Sequence, residues 1–321
     1  MNINRGESQM NIVFMGTPDF AVPCLRALIE EGHHISLVVT QADKPKGRGH
    51  RLTSPPVKEL ALTHELPIYQ PVSLKTDEAV EIISAAAPQV IVVVAYGKIL
   101  PQAILSLPPM GCINVHGSLL PKYRGAAPIQ WAVLNGETET GVTTMRMDAG
   151  LDTGDMLLSC CRPIPSDMTA GELYDALAQD GAMLLSRTLR ELEAGSLRAV
   201  PQSAEGATYA PLLDKSLSPL DWLKPASILH NQVRGLHPWP IATMTMGGRR
   251  IKVHRSRVGD NTAVEPGVIV KTNPFTVSCG DHTSLELLEI QAEGAKRMPA
   301  ADYFRGHPVK MGETVLTEPV R

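Results

Sequence analysis

The sequence lacks a run of apolar residues long enough to span a bilayer. Its longest nearly uncharged stretch, residues 82–97, is interrupted by Ser84, Pro88 and Gln89, whereas a spanning helix needs about 18 or more apolar residues in succession. Residues 1–10 are polar and carry no apolar leader core, so they read as a tail and the expected location is the cytoplasm. The five cysteines, Cys24, Cys112, Cys160, Cys161 and Cys279, form an odd set without a C-x-x-C pair. Such a set fits reduced thiols rather than a disulfide framework or a zinc ribbon, and implies no metal. There is no G-x-G-x-x-G after the first strand and no P-loop lysine, which argues against a nicotinamide-dependent oxidoreductase. Internal repeats and low-complexity tracts are missing as well.

What is present is a globular balance, with 43% apolar and 20% charged residues over 321 positions. That length suits two domains, since domains centre on roughly 100 to 150 residues. The net charge of −3 is uneven: residues 214–321 hold 14 Lys and Arg against 11 Asp and Glu, leaving 16 against 22 in residues 1–213. An acidic first part joined to a mildly basic second part hints at a polyanion facing the second, although an ordinary mixed surface gives the same number.

Residues 11–15 form a short apolar run ended by Gly16-Thr17-Pro18-Asp19, and residues 20–31 then carry apolar side chains at helical spacing. Strand candidates at 35–40, 68–69, 90–95 and 112–116 alternate with helix candidates at 57–64 and 79–86. This alternation predicts a parallel sheet covered on both faces, with the β-branched run Val90 to Ala95 at its centre. Two more strands, 141–147 and 156–164, precede a long helix over 169–192, whose start is marked by Thr169 and Glu172 at capping-box spacing. Regular pattern fades after Gly195. We therefore expect a tail at 1–10, a first domain over 11–195, a linker over 196–213 and a second domain over 214–321. In the second domain a helix over 225–236 leads into short strands with turns at Gly247-Gly248, Asp260-Asn261 and Gly280-Asp281, which argue for a small β-barrel.

Several motifs carry chemistry. Asn114 and His116 lie two apart on a strand and project from one face; the Gly- and Pro-rich segment 117–128 then turns that strand end into an irregular loop, where open parallel sheets bind ligands. A buried polar pair is the bland alternative. Asp148, Asp152 and Asp155 occupy a tight loop with Gly150 and Gly154, a composition that plain turns share. Lys44, Lys46, Arg48, Arg51 and Lys58 fall in a long loop without an acid among them, and such structureless insertions are usually functional. Arg249, Arg250, Lys252, Arg255 and Arg257 follow one hairpin; strict alternation puts Arg249, Arg255 and Arg257 opposite Arg250 and Lys252.

Taken together, Gly16 to Phe20, Gln41 to Gly49, Val94 to Gly97, Asn114 to Pro121, Arg124 to Gln130, Leu151 to Asp155 and Pro238-Trp239-Pro240 resemble the folate-dependent methionyl-tRNA formyltransferase family in order and spacing. The resemblance implies an α/β fold: a Rossmann-like formyltransferase domain followed by an OB-like barrel that binds tRNA. It implies transfer of the formyl group of 10-formyltetrahydrofolate to the α-amino group of methionyl initiator tRNA, for translation initiation. By motif, Asn114, His116 and Asp152 become the catalytic set. The same resemblance implies a folate site lined by Ser118, Leu119, Leu120, Pro121, Val94, Tyr96, Gly97, Ile99 and Leu100, and we expect Lys44, Lys46, Arg48, Arg51, Arg249, Arg250 and Lys252 to face tRNA. No metal and no membrane are implied, and a monomer is expected. Two departures stand out: Lys44 occupies a place where arginine is often found, and His237 precedes Pro-Trp-Pro where asparagine is frequent. Lysine cannot fork onto a phosphate as arginine does.

Formyl transfer to an amine develops an anionic oxygen and releases a proton, so the site needs a hydrogen-bond donor and a proton acceptor. The Asn114 amide and a protonated His116 suit the first need; Asp152 suits the second and steadies the imidazolium. Because the amine must be neutral to attack and His116 protonated to assist, a bell-shaped pH profile is expected. Two competing readings keep the fold: a formyltransferase acting on an amino-sugar nucleotide or glycinamide ribonucleotide, and a non-catalytic RNA-binding protein. The basic loop and second domain oppose the first, and retention of all three polar residues opposes the second.

Overall fold

The computed structural model describes residues 9–46 and 51–315. The chain divides into two compact units. One comprises the residues up to Ala126 with Gly141–Arg162 and Tyr174–Tyr209; the other comprises Ala127–Thr140, Pro163–Leu173 and the residues from Ala210 onward. Two segments numbered within the expected first domain thus cluster with the second unit.

Along the chain the elements are β1 (Asn11–Gly16), α1 (Val22–Glu30), β2 (His34–Val39), β3 (Lys44–Lys46), β4 (Arg51–Thr53), α2 (Pro56–Thr63), β5 (Ile68–Tyr69), α3 (Asp77–Ala85), β6 (Val90–Val94), α4 (Gln102–Leu105), β7 (Cys112–His116), β8 (Arg124–Gly125), α5 (Pro128–Leu134), β9 (Glu139–Arg146), β10 (Met156–Pro163) and α6 (Ala170–Glu193). The first unit is built on a seven-stranded sheet in the order β10-β9-β7-β6-β1-β2-β5. Pairings from β7 across β6, β1 and β2 to β5 are all parallel, as the alternating pattern predicts. At β9 the direction reverses: it runs antiparallel to β7, pairing His116 with Thr143 and Asn114 with Met145. The sheet is therefore mixed, not wholly parallel, because hydropathy reports burial and not strand direction.

All five residues of β6 are buried, as a β-branched strand covered on both faces should be. Val13, Met15, Ile91 and Val93 pack on one side with Ala79 and Ile83 of α3 and Ile104 of α4. On the other side the α6 backbone at Gly181 lies against Val115, Val142 and Cys24. The capping box is formed as its spacing predicts. Thr169 N and Oγ1 both donate to Glu172 Oε2 at 2.8 Å, and Glu172 N donates back to Thr169 Oγ1 at 3.2 Å. The turn after β1 behaves otherwise: neither Thr17 nor Asp19 caps the following helix, since Thr17 Oγ1 donates instead to the Tyr96 carbonyl at 3.1 Å.

After β11 (Tyr209–Ala210), where the chain passes from the first unit to the second, come α7 (Ala226–Gly235), β12 (Ala242–Met246), β13 (Arg249–Val258), β14 (Ile269–Thr272), β15 (Phe275–Ser278), β16 (Ser284–Ala292), β17 (Met298–Pro299) and α8 (Ala300–Gly306) of the second unit. Its sheet is antiparallel in the order β12-β13-β16-β15-β14, with β17 added to β16. Leu229 and Val233 of α7 and Phe304 of α8 close its core, with Phe304 stacked on Phe275 at 3.9 Å between ring centroids. Register breaks around Val253 to Ser256 reset the alternation of β13. Ile251 and Val253 are buried before the break, His254 and Ser256 after it, so Arg250, Lys252, Arg255 and Arg257 are all exposed. The expected split of these cations between two faces is corrected by that bulge. Among the described residues no helix is long and apolar enough to cross a membrane.

Candidate active site

The loops that follow β1, β2 and β6 converge at the C-terminal edge of the parallel strands. One carbonyl gathers them: Tyr96 O accepts from Thr17 Oγ1 at 3.1 Å and from Gln41 Nε2 at 2.8 Å. Gly97 follows with φ +79°, a conformation in which a side chain is strained, and a Cβ there would crowd the end of the Gln41 side chain, 2.6 Å from Nε2. Of the residues expected to line a folate, Val94, Tyr96 and Leu100 bury their side chains in the core, while Gly97 and Ile99 are exposed. Among the described residues the Tyr96 hydroxyl has no hydrogen-bond partner, and burial pushes its pKa up to about 12. Any role of Tyr96 toward a ligand therefore falls to its backbone.

His116 ends β7. Its Nε2 lies 2.9 Å from the Tyr123 carbonyl; a carbonyl only accepts, so Nε2 carries the proton of that bond. Nδ1 points the other way, 3.7 Å from Asp152 Oδ2, with both side chains largely buried. Asp152 Oδ2 also accepts from Gly125 N at 2.8 Å. Among the described residues Asp152 Oδ1 has no hydrogen-bond partner, yet it is not sealed from solvent. The Asn114 amide is alike. Its residue is only 9% exposed, it bonds to no described protein group, and its polar atoms remain open to solvent.

The other two acids of the loop do not join this group. Asp148 Oδ1 accepts from Gly150 N at 2.9 Å and from Thr153 Oγ1 at 2.8 Å, which is local turn chemistry. Asp155 contributes its carbonyl, which accepts from Arg146 N at 2.9 Å. A Cβ at Gly154 would stand 1.8 Å from the Arg146 carbonyl, so the loop closes only with glycine there.

Beside His116, Ser118 is fully buried and donates to the Lys122 carbonyl at 2.7 Å. Thr143 Oγ1 donates to the Ser118 carbonyl at 2.7 Å and accepts from Leu120 N at 3.2 Å, fixing the path of the Ser118–Pro121 segment. Leu119 and Pro121 are half-buried and Leu120 is buried. Sequence reasoning missed Thr143, the Tyr123 carbonyl and the Gly125 N–H. Only the first acts through its side chain, and nothing in its type or spacing marked it.

The basic loop is not structureless at its ends, because β3 and β4 pair antiparallel, Lys44 with Thr53 and Lys46 with Arg51. Arg48 lies outside the described residues, as do the side chains of Lys46 and Arg51. Lys44 is exposed and donates to Gln41 Oε1 at 2.8 Å. Gln41 thereby links this hairpin to the Tyr96 carbonyl. Lys58 is engaged elsewhere: its Nζ donates to both Asp43 oxygens at 2.8 Å. Hydrogen bonds from Gln70 and Lys58 hold the Asp43 carboxyl below its ordinary pKa. In the second unit Arg249, Arg250 and Lys252 are exposed along β13. Among the described residues no group of three or more His, Cys, Asp or Glu side chains is placed to hold a metal ion.

Residues 10–189 match the family model described as formyl transferase, and residues 212–308 match that described as formyl transferase, C-terminal domain. The chain belongs to the formyl transferase family. Within it, the chain is 49% identical over 311 residues to the methionyl-tRNA formyltransferase of Trichlorobacter lovleyi, covering 96% of this chain and 98% of that one. It is 50% identical over 306 residues to the methionyl-tRNA formyltransferase of Pelobacter propionicus, covering 95% and 96%. Among solved structures it is similar to WlaRD, a sugar 3N-formyl transferase studied in the presence of dTDP and 5-N-formyl-THF. That likeness has a TM-score of 0.67 and 21% identity and covers 90% of this chain and all of the other, and it shows the fold alone.

Proposed function

We propose that the protein transfers the formyl group of 10-formyltetrahydrofolate to the α-amino group of methionyl initiator tRNA, and that Asn114, His116 and Asp152 carry the transfer. The observation behind this reading is a division of hydrogen-bonding capacity. The Asn114 amide and Asp152 Oδ1 have no partners among the described protein groups, whereas both nitrogens of His116 face protein oxygens.

Such an arrangement suits the chemistry. Asn114 donates to the formyl oxygen as negative charge develops there, without titrating itself. Asp152 Oδ1 accepts the proton that the attacking amine sheds and gives it up to folate N10 as the formyl C–N10 bond breaks and tetrahydrofolate leaves, while its other oxygen stays fixed by Gly125 N and beside His116. His116 anchors this carboxylate and supplies positive charge when Nδ1 is protonated. The folate supplies an activated formyl group; exposed Gly97 and Ile99 and the half-buried Leu119 and Pro121 border its proposed place. Folate derivatives bound by solved proteins of similar fold support a folate co-substrate of this kind.

Lys44, Lys46, Arg48 and Arg51 are the proposed contacts to the tRNA acceptor end, with Arg249, Arg250 and Lys252 as further phosphate contacts. Short antiparallel strands around an apolar core support an OB-like barrel for the second unit, and the parallel strands of the first unit support a Rossmann-like reading.

The test is a choice of acceptors. Purified protein is given 10-formyltetrahydrofolate with methionyl initiator tRNA, methionyl elongator tRNA or an amino-sugar nucleotide, and products are separated after digestion. Formylmethionine from the initiator tRNA is the expected product; formylation of the amino sugar alone would overturn the reading.

A further inference from the structure

The Asp152 carboxylate is aimed by a residue that the catalytic set does not include. Gln202 lies beyond α6, half-buried, with its whole amide engaged. Nε2 donates to the Asp152 carbonyl at 2.8 Å and to the Gly154 carbonyl at 2.7 Å. Oε1 accepts from Arg124 Nε at 3.0 Å and from Arg124 Nη2 at 2.8 Å. Arg124 is itself buried, and the next residue supplies the Gly125 N–H that donates to Asp152 Oδ2. One amide thus ties together both sides of the contact: the backbone that bears the carboxylate and the strand that grips it.

Asp152 requires such holding. Its φ of 53° lies in the left-handed region, which costs a side chain more than the ordinary regions even for aspartate, one of the residues that enters it most readily. The carbonyl of Asp152 and that of Gly154, two residues on, are the groups Gln202 fixes. Resting on the proposed formyl transfer, we propose that Gln202 is a positioning residue: by donating to these two carbonyls it sets the Asp152 carboxylate against His116 with Oδ1 left open toward the substrate amine.

Two substitutions separate donation from anchoring. Gln202→Glu keeps the size and the contact to Arg124, but an ionised carboxylate cannot donate to carbonyls. Gln202→Met keeps a similar length and removes both functions. Single-turnover rate, KM for each substrate and melting temperature are measured for both variants, in the native background and combined with Asp152→Asn. Both should lower the single-turnover rate about 10- to 100-fold, the scale of a misplaced catalytic group, with each KM within about threefold of native. Combined with Asp152→Asn, neither should lower the rate further, since the carboxylate being positioned is already gone.

A native rate for Gln202→Glu with impairment only in Gln202→Met would make Gln202 an anchor for Arg124 and overturn the proposal. Equal fractional losses in both backgrounds would overturn it too. If Gln202→Met does not fold, Gln202→Glu alone decides. Native protein that makes no formylmethionine sinks the formyl-transfer reading itself, whereas active native protein with fully active Gln202 variants sinks only the positioning role.

Discussion

Replacing Asn114 by alanine isolates the role of a single amide. In the folded chain this side chain makes no hydrogen bond to any described protein group, so its removal breaks none and strands no buried partner. Stability should therefore shift little; shortening a side chain at 9% exposure leaves a small gap that solvent already reaches. Catalysis should suffer far more. Loss of one preorganised donor to a developing oxyanion costs about 100- to 1,000-fold in turnover, or roughly 2.7 to 4 kcal/mol. His116 Nε2 does not stand in for the lost amide, because it already serves the Tyr123 carbonyl. Steady-state formylation of methionyl-tRNA, read with a thermal melt and the KM for folate, checks all three expectations. A turnover within about threefold of native would refute the assignment of Asn114 as oxyanion donor. A collapse of the melting temperature would show instead that the amide holds the fold.

Glu172→Ala should remove the capping box of α6 at a cost of about 1 kcal/mol. Chiefly the Thr169 backbone hydrogen bond, then the Thr169 hydroxyl and Arg255, bring the Glu172 carboxyl from 4.5 down to about 2. A depressed folded value stabilises above the unfolded one and is lost as pH falls, so the native chain's advantage over the variant should fade between about pH 4.5 and 2. Solvent screening of this half-exposed side chain keeps the effect near the capping magnitude. Chemical denaturation across that pH range reads it, and a constant difference would contradict it. Lys44→Ala combined with Lys46→Ala should raise the KM for tRNA and flatten its dependence on salt by about one unit of log slope for each phosphate the protein no longer neutralises. An unchanged slope would take the β3–β4 hairpin off the RNA.

Much of the fold was legible because burial writes itself into residue order. The run Val90 to Val94 announced a central strand, and Thr169 with Glu172 announced the start of α6. What stayed hidden depends on features that periodicity does not encode. The reversal at β9 changes strand direction without changing hydropathy. The bulge in β13 breaks the two-residue alternation on which the sorting of Arg249 to Arg257 relied. Helix α5 opens on Pro128, the last residue of the Gly- and Pro-rich segment read as irregular loop, because proline at the first helical position is tolerated and its sequence carried no other start signal. The site divides in the same way. Ionisable and amide side chains near strand ends could be picked out, but Tyr123 and Gly125 contribute backbone atoms. Gln202, a neutral residue in an aperiodic stretch, carried no charge or spacing signal.

The most direct test of the account is the single-turnover rate of formylmethionyl-tRNA formation with both substrates saturating, native protein against Asp152→Asn. The amide can still accept from Gly125 N and so keeps the loop, but it loses the negative charge beside His116 and the proton acceptor. General-base catalysis is worth about 100- to 10,000-fold, so the variant should bind both substrates normally and turn over slower by at least about 100-fold. Equal rates for the two proteins would contradict the claim that this carboxylate takes the amine's proton.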